Sequence, residues 1–515
     1  MPLNLRRCAV LVAAASAVLL TLSGCGILPL PSSGPDKPPA TNVPQGFDDF
    51  YGQTLSWHSC SSGMQCTIVK SPINWDAPAD GSIDLAVIRH RANGKSLGSL
   101  LVNPGGPGGS GVDFVAYGAD SAVSSTVAAN YDIVGWDPRG VGQSTPVTCY
   151  TDPKQTDEVL YGTFDDDYGT QGWIDELTTE EEAFSAACEE NTGELLAHVD
   201  SASTARDMDL IRALLGDEKL NYMGYSYGTF LGTMYAELFP QNVGRMVLDG
   251  ALDPTVSSLD ELKVQMAGFD GAFRAYMADC LDSGDCPFSG SVDNALEQAR
   301  GVLDSVTAKH LVNDDGRVLD SATLATAISE NLYSQNFWVD MTSMFQALRQ
   351  GDPSEAFLNA DYYNQRNPDG SYGTNSFEVY TAVNCLDGDF DTDPHSTLEG
   401  LAEIDAAAPI LGKYFAYDDY SVLDTACTHW PVPHADLPTS YDAAGAPPIL
   451  VIGTTNDPAT PLVWAQSLAK QLSSGVLITH KGEGHTAYNQ GNTCVDGSVD
   501  DYFVKGTVPS SDPMC

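Results

Sequence analysis

Short apolar segments alternate with amphipathic ones along most of this chain, and their spacing predicts the fold. Seven segments have the length and apolar character of buried β-strands. They occur at about residues 83–89, 99–102, 131–136, 220–224, 246–248, 448–453 and 476–479. Helical periodicity lies between them, for example at residues 203–215 and 229–238. Strands that alternate with helices predict an α/β fold with a mainly parallel sheet and helices on both of its faces.

A long helical segment separates the fifth predicted strand from the sixth. Residues 251–440 carry amphipathic helical patterns, such as those at 258–281 and 320–348. We expect this insertion to form a cap on a core that comprises residues 47–250 and 441–515. A cap in this place would exclude water from a site on the core and limit the size of a ligand.

One predicted strand leads directly into a motif that nominates a nucleophile. The sequence LNYMGYSYG, residues 220–228, ends in Gly-x-Ser-x-Gly around Ser226. In a strand-to-helix turn of this type the glycines leave room for backbone that a Cβ atom would obstruct, and the serine Oγ is exposed. A glycine-bracketed loop serine is the alternative, because the chain contains 48 glycines and short matches arise by chance.

A serine hydroxyl needs a base within hydrogen-bond reach and a third group that orients the base. Asp457 lies in TTNDPATP after the strand at 448–453, and His485 lies in HKGEGHTAY after the strand at 476–479. The chain order of serine, acid and histidine is that of an α/β-hydrolase, and both loops follow the carboxyl ends of strands. We therefore expect Asp457 and His485 to complete a catalytic triad with Ser226.

Both assignments have rivals. Asp249, in MVLDG, ends the strand before the cap, and some members of this fold take the acid there; a turn or helix-cap role is the alternative for Asp457. His480 lies nearer the strand end than His485 does. The Gly-Glu-Gly sequence before His485, however, forms a loop that can turn an imidazole toward Ser226, which favours His485.

A glycine-rich segment, NPGGPGGSG at residues 103–111, follows an early strand. Acyl transfer places negative charge on the former carbonyl oxygen, and each backbone N–H fixed near it lowers the barrier by about 2.7–4 kcal/mol. In this fold one donor follows the nucleophile, here Tyr227, and another comes from a loop such as this one, where we choose Gly106. A phosphate-binding loop is disfavoured, because the segment lacks the Lys-Ser/Thr ending and fits G-x-G-x-x-G poorly.

Four separated motifs now stand in order: GGPG, WDPRGVGQS, GYSYGT, and GTTNDPATP with GEGH. Together they resemble the proline iminopeptidase-like α/β-hydrolases, and most closely the secreted tripeptidyl aminopeptidases of actinobacteria, which include mycobacterial cell-envelope serine proteases. The resemblance spans essentially the whole mature chain. It implies a hydrolase core with a helical cap, a triad of Ser226, Asp457 and His485, and an exopeptidase that removes short peptides from free amino termini. Proline iminopeptidases begin the loop with HGGPG, whereas Pro104 stands here at the histidine position, which argues against strict proline specificity.

The first residues have the pattern of a lipoprotein signal. Arg6 and Arg7 precede an apolar run that is short for a transmembrane helix, and LSGC ends at Cys25. We expect residues 1–24 to be a signal peptide and Cys25 to carry a lipid that attaches the protein to the outer face of a membrane; ordinary signal cleavage is the alternative. Residues 25–46, rich in Pro, Ser and Gly, predict a flexible tether.

Cysteine usage also indicates export. Of 12 cysteines, Cys8 lies in the signal and Cys25 at the lipidation site, which leaves an even number for disulfides. Proximity in sequence suggests five pairs, a connectivity that sequence alone does not prove: Cys60 with Cys66, Cys149 with Cys188, Cys280 with Cys286, Cys385 with Cys427, and Cys494 with Cys515. Cys427, His429 and His434 could instead bind a metal, but no second cluster of ligands accompanies them. We expect neither a metal nor a cofactor.

The chain is strongly acidic, with 69 Asp and Glu against 24 Lys and Arg and a formal net charge of −45. Loss of the signal peptide, which contains two arginines and no acid, would take the charge to −47 (−45 − 2). Such a charge argues against nucleic acid as a partner. The negative field favours cationic ligands, among them peptides with a protonated amino terminus, although we interpret most of the charge as solvated surface.

An aminopeptidase also needs carboxylates that bind the substrate ammonium, and the cap is their natural source. Asp387, in NCLDGD, is a candidate because a disulfide at Cys385 would fix its position; a surface loop acid is the alternative. Two other functions stay open. A carboxylesterase would use the same triad with an apolar acyl pocket, and a non-catalytic solute-binding lipoprotein would share the lipidation motif. The sequence does not specify the oligomeric state.

Overall fold

A computed structural model describes residues 43–61, 63–390, 396–510 and 512–515. The predicted signal peptide, the lipidation site Cys25 and most of the tether lie outside these ranges. Within them, none of the helices combines the length and the apolar character that crossing a membrane requires.

The described strands form one large sheet and a small hairpin. The strands are β1 (His58–Ser59), β2 (Met64–Pro72), β3 (Ser82–His90), β4 (Ser99–Asn103), β5 (Asp132–Trp136), β6 (Leu220–Tyr225), β7 (Val243–Asp249), β8 (Leu311–Val312), β9 (Val318–Leu319), β10 (Ile449–Asn456) and β11 (Gly475–Glu483). The large sheet has the order β1-β2-β3-β5-β4-β6-β7-β10-β11. From β5 to β11 all neighbours are parallel, whereas β1, β2 and β3 pair antiparallel at the other edge.

Helices surround the sheet and make up the long insertion. They are α1 (Asp48–Tyr51), α2 (Gly111–Ala122), α3 (Ser125–Ala128), α4 (Pro153–Tyr161), α5 (Gln171–Thr192), α6 (Ser201–Leu214), α7 (Tyr227–Leu238), α8 (Ser258–Ser283), α9 (Val292–Lys309), α10 (Ser321–Leu332), α11 (Trp338–Arg349), α12 (Ser354–Tyr363), α13 (Ser376–Asp387), α14 (Ser396–Ala407), α15 (Gly412–Thr428), α16 (Leu462–Gln471) and α17 (Thr493–Lys505). Short 3₁₀ turns lie at Gly193–His198, Pro240–Asn242 and Gln335–Phe337.

Two hydrophobic layers cover the faces of the sheet. On one face Trp136, Tyr222 and Leu248 pack against α6 and α7, and on the other Val102 and Ile452 pack against α2 and α17. Strands buried on both faces read as continuous apolar runs, as in β4, where all five residues are buried. The α/β-hydrolase architecture with a mainly parallel sheet is therefore confirmed.

The structure differs from the sequence patterns at a long strand and at a long helix, besides the two-residue strands β1, β8 and β9, which were not predicted. The strand β2, MQCTIVKSP, was not predicted because exposed and half-buried positions interrupt its apolar character. The helix expected at 320–348 is two helices, α10 and α11, since the chain leaves the helix after Leu332 and makes a 3₁₀ turn that the Ser334 side chain caps.

Helices α8 to α15 lie between β7 and β10, where the cap was expected. Most of them share a hydrophobic cluster of their own, whereas the buried apolar side chains of α13 belong to the cluster on the sheet. Met266, Phe273 and Phe345 belong to the cap cluster, and so do Trp173 and Leu177 of α5. The cap cluster therefore draws on residues before the predicted boundary at 251, because α4 and the first half of α5 pack there, whereas Phe184 and Cys188 of α5 belong to the cluster on the sheet.

Helix α15 joins the cap to the core. Its Phe415 and Tyr420 belong to the cap cluster, whereas Leu423 and Ala426 belong to a cluster on the sheet. A disulfide ties α15 to α13. Both helices also contribute to the cavity described below, so the attachment of the cap and the shape of the cavity depend on the same elements.

The described residues contain five disulfides, with the pairs that proximity in sequence suggested: Cys60–Cys66, Cys149–Cys188, Cys280–Cys286, Cys385–Cys427 and Cys494–Cys515. Cys427 is thereby unable to act as a thiolate ligand for a metal. In the described ranges no group of three or more His, Cys, Asp and Glu side chains is arranged to hold a metal ion.

Candidate active site

Ser226 occupies a sharp turn between β6 and α7. Its backbone has φ 54° and ψ −128°, a conformation that costs free energy for a residue with a side chain. A Cβ atom on Gly224 would lie 2.3 Å from the carbonyl oxygen of Gly228, and one on Gly228 would lie 2.8 Å from Asn103 Oδ1. The Ser226 N–H donates to the carbonyl oxygen of Asp249 at 3.0 Å. Close backbone contact and one neighbouring strand thus fix the turn, as the motif predicts.

The structure brings His485 and Asp457 together at the carboxyl ends of β11 and β10. His485 Nδ1 lies 2.9 Å from Asp457 Oδ1 and 3.0 Å from Oδ2. The Asp457 side chain is completely buried and also accepts hydrogen bonds from the N–H groups of Ala459, Thr460 and Thr486, at 2.8 to 3.1 Å. These donors hold the carboxylate in place, and it fixes the tautomer of the ring.

The other ring nitrogen, His485 Nε2, is buried and has no hydrogen-bond partner among the described residues. The ring lies at the end of β7, because a Cβ on Gly250 would be 3.0 Å from its Cε1. The preceding residue of β7, Asp249, accepts the Ser226 N–H. Ser226 and the imidazole thus flank one strand end, with the free nitrogen available to a hydroxyl or a substrate.

Electrostatics favour a proton on this imidazole. Burial alone would lower the pKa of His485, but the charge of Asp457, its hydrogen bond and the charge of Asp249 together raise that pKa above its ordinary value. The imidazole also contacts the edge of Tyr333, with the two ring centroids 5.4 Å apart. The backbone N–H of His485 donates to the carbonyl oxygen of Tyr333. The cap therefore contributes to the position of the imidazole.

The rival residues lie elsewhere. Asp249 accepts the N–H groups of Ala487 and Tyr488, at 3.0 and 2.8 Å, and so anchors the loop rather than the imidazole. Burial raises the pKa of this carboxyl to about 6. His480 lies within β11, where its Nδ1 is 3.4 Å from Thr454 Oγ1. Neither residue is placed beside the candidate nucleophile as an acid–base pair.

The glycine-rich loop after β4 reaches the same place. Gly105 has φ 99°, and a Cβ there would lie 2.6 Å from the Tyr225 carbonyl oxygen and 3.0 Å from the Tyr227 nitrogen. The Asn103 side chain accepts the Gly105 N–H at 2.9 Å and holds the loop. Gly106 and Tyr227 both line the cavity that contains the candidate nucleophile. The two predicted oxyanion donors therefore lie together on the core side of the cavity.

The cap closes a cavity over this edge of the sheet. Its floor is formed by the core residues Gly106, Ser226, Tyr227 and Thr460. Apolar and aromatic side chains from the cap form most of its wall, among them Leu262, Phe269, Tyr333, Tyr363 and Tyr380. Two carboxylates interrupt this wall, Glu261 of α8 and Asp419 of α15. Burial, reinforced by the charges of Asp253 and Asp389, raises the pKa of Glu261 to about 7.

Asp387, proposed from the sequence to bind a substrate ammonium, is not among the described side chains that line the cavity. Its carboxylate accepts the N–H and O–H of Ser201 instead, next to Tyr227. Sequence reasoning missed Glu261 and Asp419, since nothing in a surface-like pattern such as SLDEL distinguishes a cavity acid from a solvated one. The role of Asp387 as an ammonium ligand therefore stays a prediction, and Glu261 and Asp419 are further candidates because they line the cavity.

Comparison with known proteins adds independent information. A family described as TAP-like protein matches residues 413–515. The chain is 35% identical to serine protease Hip1 of Mycobacterium tuberculosis over 90% of this chain and 91% of that one. It is 37% identical to carboxylesterase B of the same species over 96% of each chain. It is 30% identical to a tripeptidyl aminopeptidase of Streptomyces lividans over 90% of this chain and 86% of that one.

Proposed function

The chain belongs to the TAP-like family of α/β-hydrolases and is a serine hydrolase, and from this premise we propose that it is an exopeptidase that releases tripeptides or other short peptides from free amino termini. The observation that carries the proposal is the pairing of Asp457 with His485 Nδ1 beside a strained serine turn, with Nε2 left without a partner among the described residues. The names of the three relatives described above, each of them a hydrolase, support catalysis over a solute-binding role.

In the proposed reaction, His485 Nε2 takes the proton of Ser226 Oγ as the oxygen attacks a peptide carbonyl. Asp457 orients the ring and stabilises the imidazolium that forms. The N–H groups of Gly106 and Tyr227 receive the negative charge that develops on the carbonyl oxygen. The imidazolium then protonates the leaving amine, and water hydrolyses the acyl-enzyme with the same histidine as base.

Recognition of a free amino terminus follows from the cavity wall. Glu261 and Asp419 are the carboxylates on that wall, and both come from cap helices that face the catalytic edge. A carboxylate in an otherwise apolar and aromatic wall binds an ammonium strongly, because solvent competes weakly there. We propose that the ammonium binds Glu261 or Asp419 and that the cap limits how many residues fit between that acid and Ser226.

We also propose that the protein acts outside the cytoplasm, held to the outer face of the membrane by a lipid on Cys25. Five disulfides support an oxidising compartment. Mass spectrometry of the mature amino terminus tests the anchor. A diacylglyceryl modification on Cys25 is expected, and an unmodified terminus downstream of that cysteine would contradict it.

Carboxylesterase activity is a second candidate, because a relative of that name covers 96% of the chain. The aromatic and apolar wall is also compatible with an acyl chain. The two functions differ in their need for a substrate ammonium, which an ester substrate lacks.

The test compares three substrates: Ala-Ala-Pro-anilide with a free amino terminus, its N-acetylated analogue, and a short acyl ester. Cleavage of the free peptide in strong preference to the acetylated one, abolished in Ser226→Ala, is the expected result. Ester turnover without peptide cleavage would support the carboxylesterase instead. Turnover that persists in Ser226→Ala would contradict the proposed nucleophile.

A further inference from the structure

A short chain of hydrogen bonds connects the cap to the residue that follows the candidate nucleophile. The hydroxyls of Tyr227 and Ser201 lie 2.5 Å apart. Ser201 Oγ donates to Asp387 Oδ2 at 2.5 Å, and the Ser201 N–H donates to the same carboxylate at 3.1 Å. Because the only proton of the Ser201 hydroxyl goes to Asp387, its oxygen accepts from Tyr227. Every donor in the chain therefore has an acceptor, and the chain ends on a carboxylate.

The three residues come from three different elements. Asp387 is the last residue of α13, the cap helix that also places Tyr380 and Asn384 on the cavity wall. The disulfide at Cys385 ties this end of the helix to α15. Ser201 is the first residue of α6 in the core and is completely buried. The network thus crosses from cap to core directly beneath the catalytic floor.

The start of α7 needs an anchor of this kind. The residue at its N-cap is Ser226, whose side chain makes no capping hydrogen bond, and its backbone is strained. Serine usually stabilises a helix start by capping it, but a nucleophile must leave its hydroxyl free. Tyr227 is the first residue of that helix, so a restraint on its side chain also restrains the peptide N–H that it presents to the cavity.

We propose that Asp387, acting through Ser201, is a positioning residue that holds Tyr227 so that its backbone N–H meets the oxyanion. The inference rests on the proposed function, in which Tyr227 donates to the oxyanion. It makes the cap a part of the catalytic geometry as well as a wall that selects substrates.

The carboxylate is required because it accepts two hydrogen bonds from Ser201. In Asp387→Asn the amide can accept one of them, while its NH₂ group faces the other donor. Tyr227→Phe removes the opposite end of the chain but keeps the backbone N–H. Both variants preserve size and leave Ser226, Asp457 and His485 in place.

The experiment measures kcat and KM of Asp387→Asn, Tyr227→Phe and the double variant on a short acyl ester and on Ala-Ala-Pro-anilide. Asp340→Asn, at an exposed position of α11, is the matched control. We expect kcat to fall about tenfold on both substrates with little change in KM. Removal of an oxyanion donor lowers kcat by about a hundredfold or more, and a donor that is only misplaced should cost less. The double variant should lose no more than Tyr227→Phe alone.

A second readout separates positioning from simple destabilisation. A peptide boronic acid forms a tetrahedral adduct with the nucleophile, so its inhibition constant should weaken by the same factor as kcat falls. Losses that multiply in the double variant would overturn the inference, as would a rise in KM confined to the free-amino peptide. Turnover that does not depend on Ser226 would refute the proposed function itself and is measured separately with Ser226→Ala.

Discussion

The two sides of the cavity are built in different ways. On the core side, backbone groups fix the candidate catalytic residues: Asp457 accepts three backbone N–H groups, and Ser226 sits in a turn where close backbone contacts leave no room for a Cβ atom at Gly224 or Gly228. On the cap side, the wall consists of side chains such as Glu261, Phe269 and Tyr380, which come from helices far apart in the sequence.

This contrast separates chemistry from selectivity. A residue fixed by backbone contacts cannot change without loss of reaction geometry, whereas a wall built from side chains can change its lining while the core remains intact. Substitutions at the core edge should therefore lower kcat, and substitutions at the cap wall should raise KM. Asp387 is the exception that we infer, since it lies in the cap and should affect kcat.

The largest expected effect comes from the acid. In Asp457→Asn an amide replaces the carboxylate that fixes the ring tautomer, so kcat on Ala-Ala-Pro-anilide should fall about 10⁴-fold. Asp249→Asn is the comparison, because that carboxylate contacts backbone N–H groups of the loop and not the ring. It should lower Tm and retain most of kcat, and the reverse ranking would show that Asp249 is the acid.

The next effect tests the backbone fit of the oxyanion loop. In Gly105→Ala the new methyl group would lie 2.6 Å from the Tyr225 carbonyl oxygen, and Ala is strained at φ 99°. We expect kcat to fall about 100-fold as the loop moves away from the nucleophile. Gly316→Ala is a matched control, since Gly316 has φ 94° with nothing within 4 Å of a new Cβ. Equal kcat losses in both variants would contradict a role for the contact.

A smaller effect is expected at the cap wall. At pH 8, above the pKa of about 7, Glu261→Gln removes a negative charge from the cavity. KM for the free-amino peptide should then rise about tenfold, which corresponds to the loss of one charge-assisted hydrogen bond, with kcat nearly unchanged. The N-acetylated peptide and the ester should respond little. Glu297→Gln, at an exposed position of α9, controls for the loss of overall charge. If Glu261→Gln leaves KM unaltered, Asp419 is the residue to test for the ammonium.

The last effect concerns the stability of the fold rather than turnover. Burial raises the pKa of Asp249 to about 6 and that of Glu261 and of Asp387 to about 7, whereas carboxyls in an unfolded chain titrate near pH 4. The folded state therefore binds these protons more tightly. For these groups stability is greatest below about pH 4, and each group lowers it by about 1.4 kcal/mol per pH unit until the pH passes the folded pKa of that group. Tm should be higher at pH 5 than at pH 8, and Asp249→Asn should reduce the difference.

The core and its catalytic edge were predictable because their signals are local. Strands such as β4 and β10 are mainly continuous apolar runs. The glycines around Ser226 and His485 predict sharp turns there. The strand β2 has no such apolar run. The break between α10 and α11 at Ser334 was not predicted, because the amphipathic pattern continues across it.

The cap wall was not predictable, because its members share a cavity only through tertiary packing. In the sequence nothing distinguishes Glu261 from the other Asp and Glu residues, which number 69 in all. Only the packing of α8 places it on the cavity wall. Asp387 was a candidate because the neighbouring Cys385 was expected to form a disulfide. Its hydrogen bond with Ser201 depends on tertiary packing and could not be predicted. Trp173 and Leu177 likewise join the cap cluster by packing alone.

The central claim is that Ser226 is the nucleophile, and covalent labelling tests it most directly. The purified protein is treated with a fluorophosphonate, and the modified peptide is identified by mass spectrometry while residual hydrolysis of the acyl ester is followed. The account predicts one phosphonyl group, on Ser226, with activity lost in proportion to labelling. Full inactivation with the adduct on another residue, or an active protein that leaves Ser226 unmodified, would contradict it.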